Sequence, residues 1–142
     1  IGIMTRLVEL ETLDGEFSQA LQGDVRSAFV HMFRQRGNRL AEGERMLRAI
    51  MPEVIVNPDL RKQYYQGFVV RVAEKLKRYV ENSIATGRIR PVDATLTARL
   101  VHSMFLGLLM MRLLGDEPLQ ARWDEVPELL AGLLFEGLGC EE

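Results

Sequence analysis

Apolar residues recur at intervals of three and four along almost the whole chain. That spacing leaves helices as the only regular structure the sequence can build on any scale. The one strand-like run, Val54-Ile55-Val56, lies between Pro52 and Pro58. A lone short strand has nothing to pair with, so this run is expected to be a loop. The fold class that follows is all-α, a bundle of about five to six helices.

The boundaries come from caps and breakers. In residues 1–22, Ile3, Leu7, Val8, Leu10 and Leu13 form a partial stripe that Gly15 interrupts and Phe17, Ala20 and Leu21 resume. Asp24 can cap a second helix over 25–38, where Val25, Ala28, Phe29, Met32 and Phe33 make one apolar face and Gly37-Asn38 reads as a stop. A short helix over 43–51 is expected to end at Pro52. Asn57-Pro58-Asp59 joins a capping side chain, a proline at the first helical position and an acid in the first turn. It opens a helix to Thr86, roughly 40 Å long at 1.5 Å per residue. Along it Leu60, Tyr64, Phe68, Val72, Leu76 and Val80 step by four, and Gly87 and Pro91 close it. Asp93 caps a helix over 94–114, Gly115-Asp116-Glu117-Pro118 reads as a turn, and a last helix covers about 122–138. Pro127 requires that last helix to begin close before it, with Asp124 as the candidate cap.

Several function classes fall away. With 142 residues the chain is sized for one domain with a full core, without metal or disulfide staples. Lys plus Arg is 18 and Asp plus Glu is 20, a net charge of −2, so there is no basic footprint for nucleic acid. A single cysteine, Cys140, excludes a disulfide framework and a cysteine-based zinc site. The longest mostly apolar run, 100–114, contains His102 and Arg112 and is shorter than the about 20 residues of a membrane span. No signal peptide is legible, and the expected location is cytoplasmic. The sequence has no HExxH, no phosphate-binding glycine loop, no Glu-x-x-His pair and no serine in a nucleophile elbow. His31 and His102 have no metal-ligating neighbour at helical spacing. The reading is therefore neither an enzyme nor a metal or cofactor protein.

The two carboxy-terminal helices carry more apolar surface than one bundle needs. From Leu100 onward the helix over 94–114 is apolar on every face, and such a helix must be covered all round. Either it is the central helix of its own domain, or one side faces a second subunit. The last helix favours the second option, because Leu129, Leu130, Leu133, Leu134 and Phe135 spread over a broad arc. Gly107, Ala131 and Gly132 permit close backbone approach. Two such helices meeting their copies across a two-fold axis make a dimeric four-helix bundle. The candidate interface residues are Leu100, Met104, Gly107, Leu108, Met111 and Arg112 with Val126, Leu130, Leu133 and Leu134. Arg112, stranded in an apolar run, needs a carboxylate. An acid across the dimer is the favoured source, and an acidic ligand group the alternative.

Asn-Pro-Asp-Leu-Arg (57–61), the joint Ile-Ala-Thr-Gly-Arg-Ile-Arg-Pro-Val-Asp (84–93), Ala-Thr-Leu-Thr-Ala-Arg-Leu-Val (94–101) and the ending Glu-Leu-Leu-Ala-Gly-Leu-Leu-Phe-Glu-Gly-Leu (128–138) follow one another in this order. From about Leu21 to Leu138 the order resembles the carboxy-terminal half of the tetracycline-repressor-like (TetR) transcriptional regulators. The resemblance implies a homodimer through the last two helices and a small apolar or amphipathic effector held among the preceding ones. It also implies operator DNA binding only through an amino-terminal helix-turn-helix domain, which the chain lacks. Residues 1–22 then correspond to a linking helical segment, and 23–142 to an effector-binding and dimerisation domain.

Within that expectation Phe29, Met32, Phe33, Met46, Ile50, Met51, Tyr64, Tyr65, Phe68, His102 and Phe105 are the candidate ligand-binding residues. Met and aromatic side chains make adaptable apolar cavities, although the same stripes serve equally as plain core. Tyr64, Tyr65 and His102 are the candidate orienting groups, since a buried hydroxyl or imidazole wants a partner. Lys75, Lys77, Arg78, Arg88 and Arg90 read as a solvated face. The leading function is the ligand-sensing and dimerisation domain of a repressor. The alternative is a helical protein–protein interaction module without a ligand.

Overall fold

A computed structural model describes residues 24–138, with side chains to Gly137. The segments expected over 1–22 and at the carboxy-terminal tail lie outside these residues. The described chain is an all-α bundle of the expected kind. Its elements are α1 (Val25–Glu42), α2 (Glu44–Val56), α3 (Pro58–Tyr64), a wide π turn (Tyr65–Val69), α4 (Val70–Ala85), α5 (Ala94–Leu113), a short α6 (Glu117–Ala121), a 3-10 turn (Trp123–Glu125) and α7 (Val126–Leu138). Helices α3 and α4 form one continuous path through the wide turn.

The caps act where the sequence placed them. Asp24 accepts from the Ser27 amide (3.2 Å) and hydroxyl (2.7 Å), and the Ser27 hydroxyl holds its carboxyl below the usual range. Asn57 accepts from the amides of Asp59 (3.0 Å) and Leu60 (3.3 Å), and Asp93 from that of Leu96 (2.8 Å). Helix α4 ends in a paired closure: Gly87, at φ +73°, donates to the Ile84 carbonyl, and Arg88 to that of Ser83. Gly115, at φ +97°, closes α5 in the same way with Asp116.

Four boundaries differ from expectation. Helix α1 does not stop at Gly37-Asn38 but runs to Glu42, with Gly37 buried inside it. A methyl built at position 37 would stand 3.2 Å from Trp123 Nε1, so the glycine makes room for a tryptophan rather than ending a helix. Helix α2 passes through Pro52 and takes in Val54-Ile55-Val56, the run expected to be a loop. Val54 is buried and fixes that last turn, while Pro52 sits on the exposed side and omits one bond. The turn expected at 115–118 contains the start of α6, capped by Asp116 with Pro118 in its first turn. The last helix begins at Val126, so Pro127 does fall in the first turn, but Asp124 belongs to the preceding 3-10 turn.

Helix α1 runs through the middle of the core. Its Val25 joins Leu76, Tyr79 and Ala98 from α4 and α5, while Phe29, Val30 and Phe33 join Ala131 of α7. Ala98 and Ala131 have no exposed surface, so their small side chains are what allow those close approaches. Helices α4 and α5 pack along each other more extensively than any other pair. Helix α5 is not the covered central helix that one reading of the sequence allowed, because Leu96, Leu100 and Met111 are exposed along its outer side. Arg90 in the α4–α5 joint donates to the Gly137 carbonyl (2.8 Å), tying the joint to the end of α7.

Candidate functional site

Between α1, α2, the 58–85 path and α5 lies a half-open cavity of about 120 Å³. Helix α1 gives it Phe29, Met32, Phe33, Arg36 and Leu40, and α2 gives Leu47 and Met51. Tyr64, Phe68, Val72 and Leu76 form the third wall, and α5 closes the space with Val101, His102, Phe105, Leu106, Leu109 and Met110. The lining is almost wholly apolar, with Arg36, Tyr64 and His102 as its polar members.

The third wall shows how local structure makes the site. Four residues overshoot a 3.6-residue turn by about 40°, so a strict step of four drifts around a straight helix. The wide turn at Tyr65–Val69 uses i→i+5 bonding and takes up part of that drift. Tyr64, Phe68, Val72 and Leu76 therefore share one wall. Tyr65, one residue out of step, is 53% exposed and outside the cavity.

Aromatic rings fix the interior. Phe33 meets Phe105 edge-on at 4.9 Å between centroids, and Phe29 lies 5.8 Å from both Phe33 and Phe135. Tyr64 lies 5.4 Å from Phe68, which meets the His102 ring at 5.7 Å. Burial pushes the Tyr64 hydroxyl up to about 12 and the His102 imidazole below its usual value. His102 is thus neutral near neutral pH. Its Nε2 and Arg112 Nε are the buried side-chain polar atoms without a hydrogen-bond partner among the described residues.

Of the residues singled out from sequence, Phe29, Met32, Phe33, Met51, Tyr64, Phe68, His102 and Phe105 line the cavity. Met46 and Ile50 of α2, like Tyr65, do not. A short amphipathic helix has two plausible apolar flanks, and the one carrying Leu47 and Met51 faces inward. Arg36 lies inside the helix expected over 25–38, and Leu40 lies beyond its expected stop. They continue the step 29, 33, 36, 40 past Gly37, and that periodicity was the available signal.

Eight of the ten candidate interface residues divide into two groups. Leu100, Gly107, Met111 and Leu133 point outward with Leu129 of the broad arc, and with Leu96 and Leu114, which sequence reasoning missed. Leu100 and Leu133 are 61% and 64% exposed. Leu108, Val126, Leu130 and Leu134 instead pack inward against Phe29, Val30, Phe33 and Ala131. Met104 is half-buried. Arg112 lies over the Trp123 ring of its own chain, 4.9 Å from its centroid.

By length and composition α5 would reach across a membrane, but here it forms a cavity wall, packs along α4 and carries Arg99, His102 and Arg112. Among the described residues no cluster of His, Cys, Asp or Glu is arranged to hold a metal ion. Comparison with protein families matches residues 19–125 to the family described as tetracyclin repressor-like, C-terminal domain. Comparison with curated proteins and with solved structures gives no match.

Proposed function

The chain belongs to the tetracyclin repressor-like C-terminal domain family, and from that premise we propose that it is the ligand-sensing and dimerisation domain of a transcriptional repressor. Domains of this family generally bind small ligands and dimerise within regulators. The observation that carries the reading is the apolar cavity between α1, α2, the 58–85 path and α5. A dry interaction module would fill that space, whereas a sensor for a small apolar or amphipathic effector needs it. The role is regulatory rather than catalytic, and the protein acts in the cytoplasm.

Dimerisation is assigned to the outer side of α5 and α7. Leu96, Leu100, Gly107, Met111, Leu129 and Leu133 leave an apolar surface that a second copy, meeting it across a two-fold axis, covers. Residues 1–22 serve as the linking segment and 23–142 as the effector-binding and dimerisation unit. Operator DNA is bound through the amino-terminal domain of the full-length regulator, and effector binding releases it. Native mass spectrometry of the purified chain tests both halves of the proposal together. The expected result is a dimer retaining a small molecule or accepting an added apolar one. A monomer at micromolar concentration that takes up no compound overturns it.

A further inference from the structure

Beside the cavity lies a second, smaller space of about 40 Å³ that reaches toward Tyr79, Ser83 and Ile89. Phe29, Met32, Leu76 and Val101 line both spaces, so these four side chains form the partition between them. Met32 also packs against both hydrophobic clusters of the core. The smaller space offers a ligand no polar group that is not already committed. The Ser83 hydroxyl donates to the Tyr79 carbonyl (2.8 Å), and the Tyr79 hydroxyl to that of Val25 (3.4 Å). Whatever enters it is hydrocarbon.

The four partition residues differ in how easily they move. Phe29 is buried and held between the Phe33 and Phe135 rings, 5.8 Å from each. Leu76 is buried in one cluster with Tyr79 and Ala98. Val101 is β-branched and has one strongly preferred rotamer in a helix. Met32 is half-buried and unbranched, with three rotatable side-chain bonds, so it can swing without any shift of backbone. An opening the width of one methionine side chain passes a string of methylenes and stops a ring or a branch.

We propose that Met32 is the specificity-determining residue of the site: it swings aside to join the two spaces, and the joined site takes an unbranched alkyl chain. The chain end lies toward Ser83 and Ile89, and a polar head stays at the opening of the larger cavity, in water. The inference rests on reading the cavity as a ligand site. Calorimetric titration with straight-chain 1-alkanols, from butanol to decanol, tests it. Affinity should rise by roughly four-fold per methylene until the joined space is full, and then level off. 1-Octanol should bind more tightly than its branched isomer 2-ethyl-1-hexanol by at least roughly four-fold, one methylene's worth. Met32→Leu conserves volume, a swap that cores tolerate, but it branches and stiffens the partition. In that variant the rise should stop at a shorter chain.

Equal or tighter binding of the branched isomer, or a rise that stops at the same chain length in parent and variant, overturns the role of Met32 while leaving the cavity a ligand site. Failure of every alkanol to bind overturns both claims. If the leucine variant does not fold, methyl NMR of the wild-type chain decides. Ile89 lines the smaller space and not the larger one. Its methyl resonances should move with bound 1-decanol and stay still with 1-butanol. No movement with decanol, or equal movement with both compounds, overturns the proposal.

Discussion

Trp123 packs against Gly37 so closely that a methyl group there would lie 3.2 Å from its Nε1 and 3.3 Å from its Cζ2. On the same indole lies the Arg112 guanidinium, 4.9 Å from the ring centroid. One buried side chain just before α7 thus touches α1 and α5 together. Position 37 should accordingly reject a branched side chain. Gly37→Val is expected to lower stability by about 2 kcal/mol, because overpacking and the poor helix propensity of valine act together. Urea unfolding measures it, and a variant as stable as the parent would show that the tryptophan has room to move.

On the proposed dimer, a charge on the outer face should separate subunits without unfolding them. Leu133 is largely exposed within one chain, so Leu133→Asp leaves the core intact but buries an unpaired carboxylate between copies. Sedimentation should show a folded monomer at concentrations where the parent is dimeric. An unchanged dimer would move the interface elsewhere.

His102 should leave a mark on acid stability. Its folded pKa lies below its ordinary value because burial penalises the cation. The unfolded chain therefore binds the proton more readily. Stability is fully present above about pH 6.5 and is lost as pH falls through the folded pKa. Compared with the parent, His102→Gln should flatten that limb of the stability–pH curve. Parallel curves for the two proteins would contradict a buried neutral imidazole.

At the alkaline end Tyr64 and Tyr79 act in the opposite direction. Burial raises both hydroxyls to about 12, above an unperturbed value of about 10. Their contribution is present below pH 10 and lost as pH rises toward 12, by up to about 2 kcal/mol for each. Tyr79, whose hydroxyl donates to the Val25 carbonyl at 3.4 Å, links α4 to α1. Phenylalanine at either position should remove its share of the alkaline loss, read by denaturant midpoints across that range.

Filling the cavity should cost binding rather than folding. Leu106 lines it from α5 and is half-buried, so Leu106→Trp has open space to enter. Stability within about 1.5 kcal/mol of the parent is expected, together with loss of ring-sized ligands. A large fall in stability would mean that the space cannot accept an indole.

The helical class, the caps at Asp24, Asn57 and Asp93 and the stops at Gly87 and Gly115 were legible because each is local chemistry. What escaped depended on partners far away in sequence. Gly37 reads as a stop until Trp123 is placed against it, and Pro52 until Val54 is found in the core. Much of the cavity was visible as an aromatic stripe. Which flank of α2 faces it was not, since Met46 and Leu47 differ only by the rotation that tertiary packing sets.

The wide turn at Tyr65–Val69 has one more consequence. It acts as a vernier within a single rod: residues before it are indexed to α2, and those after it to the α4–α5 seam. A one-residue insertion or deletion inside those five positions would re-aim Tyr64 by about 100° while leaving Leu76, Tyr79 and the Gly87 closure in place. The register of cavity wall and scaffold along this one helix is thus set within five residues.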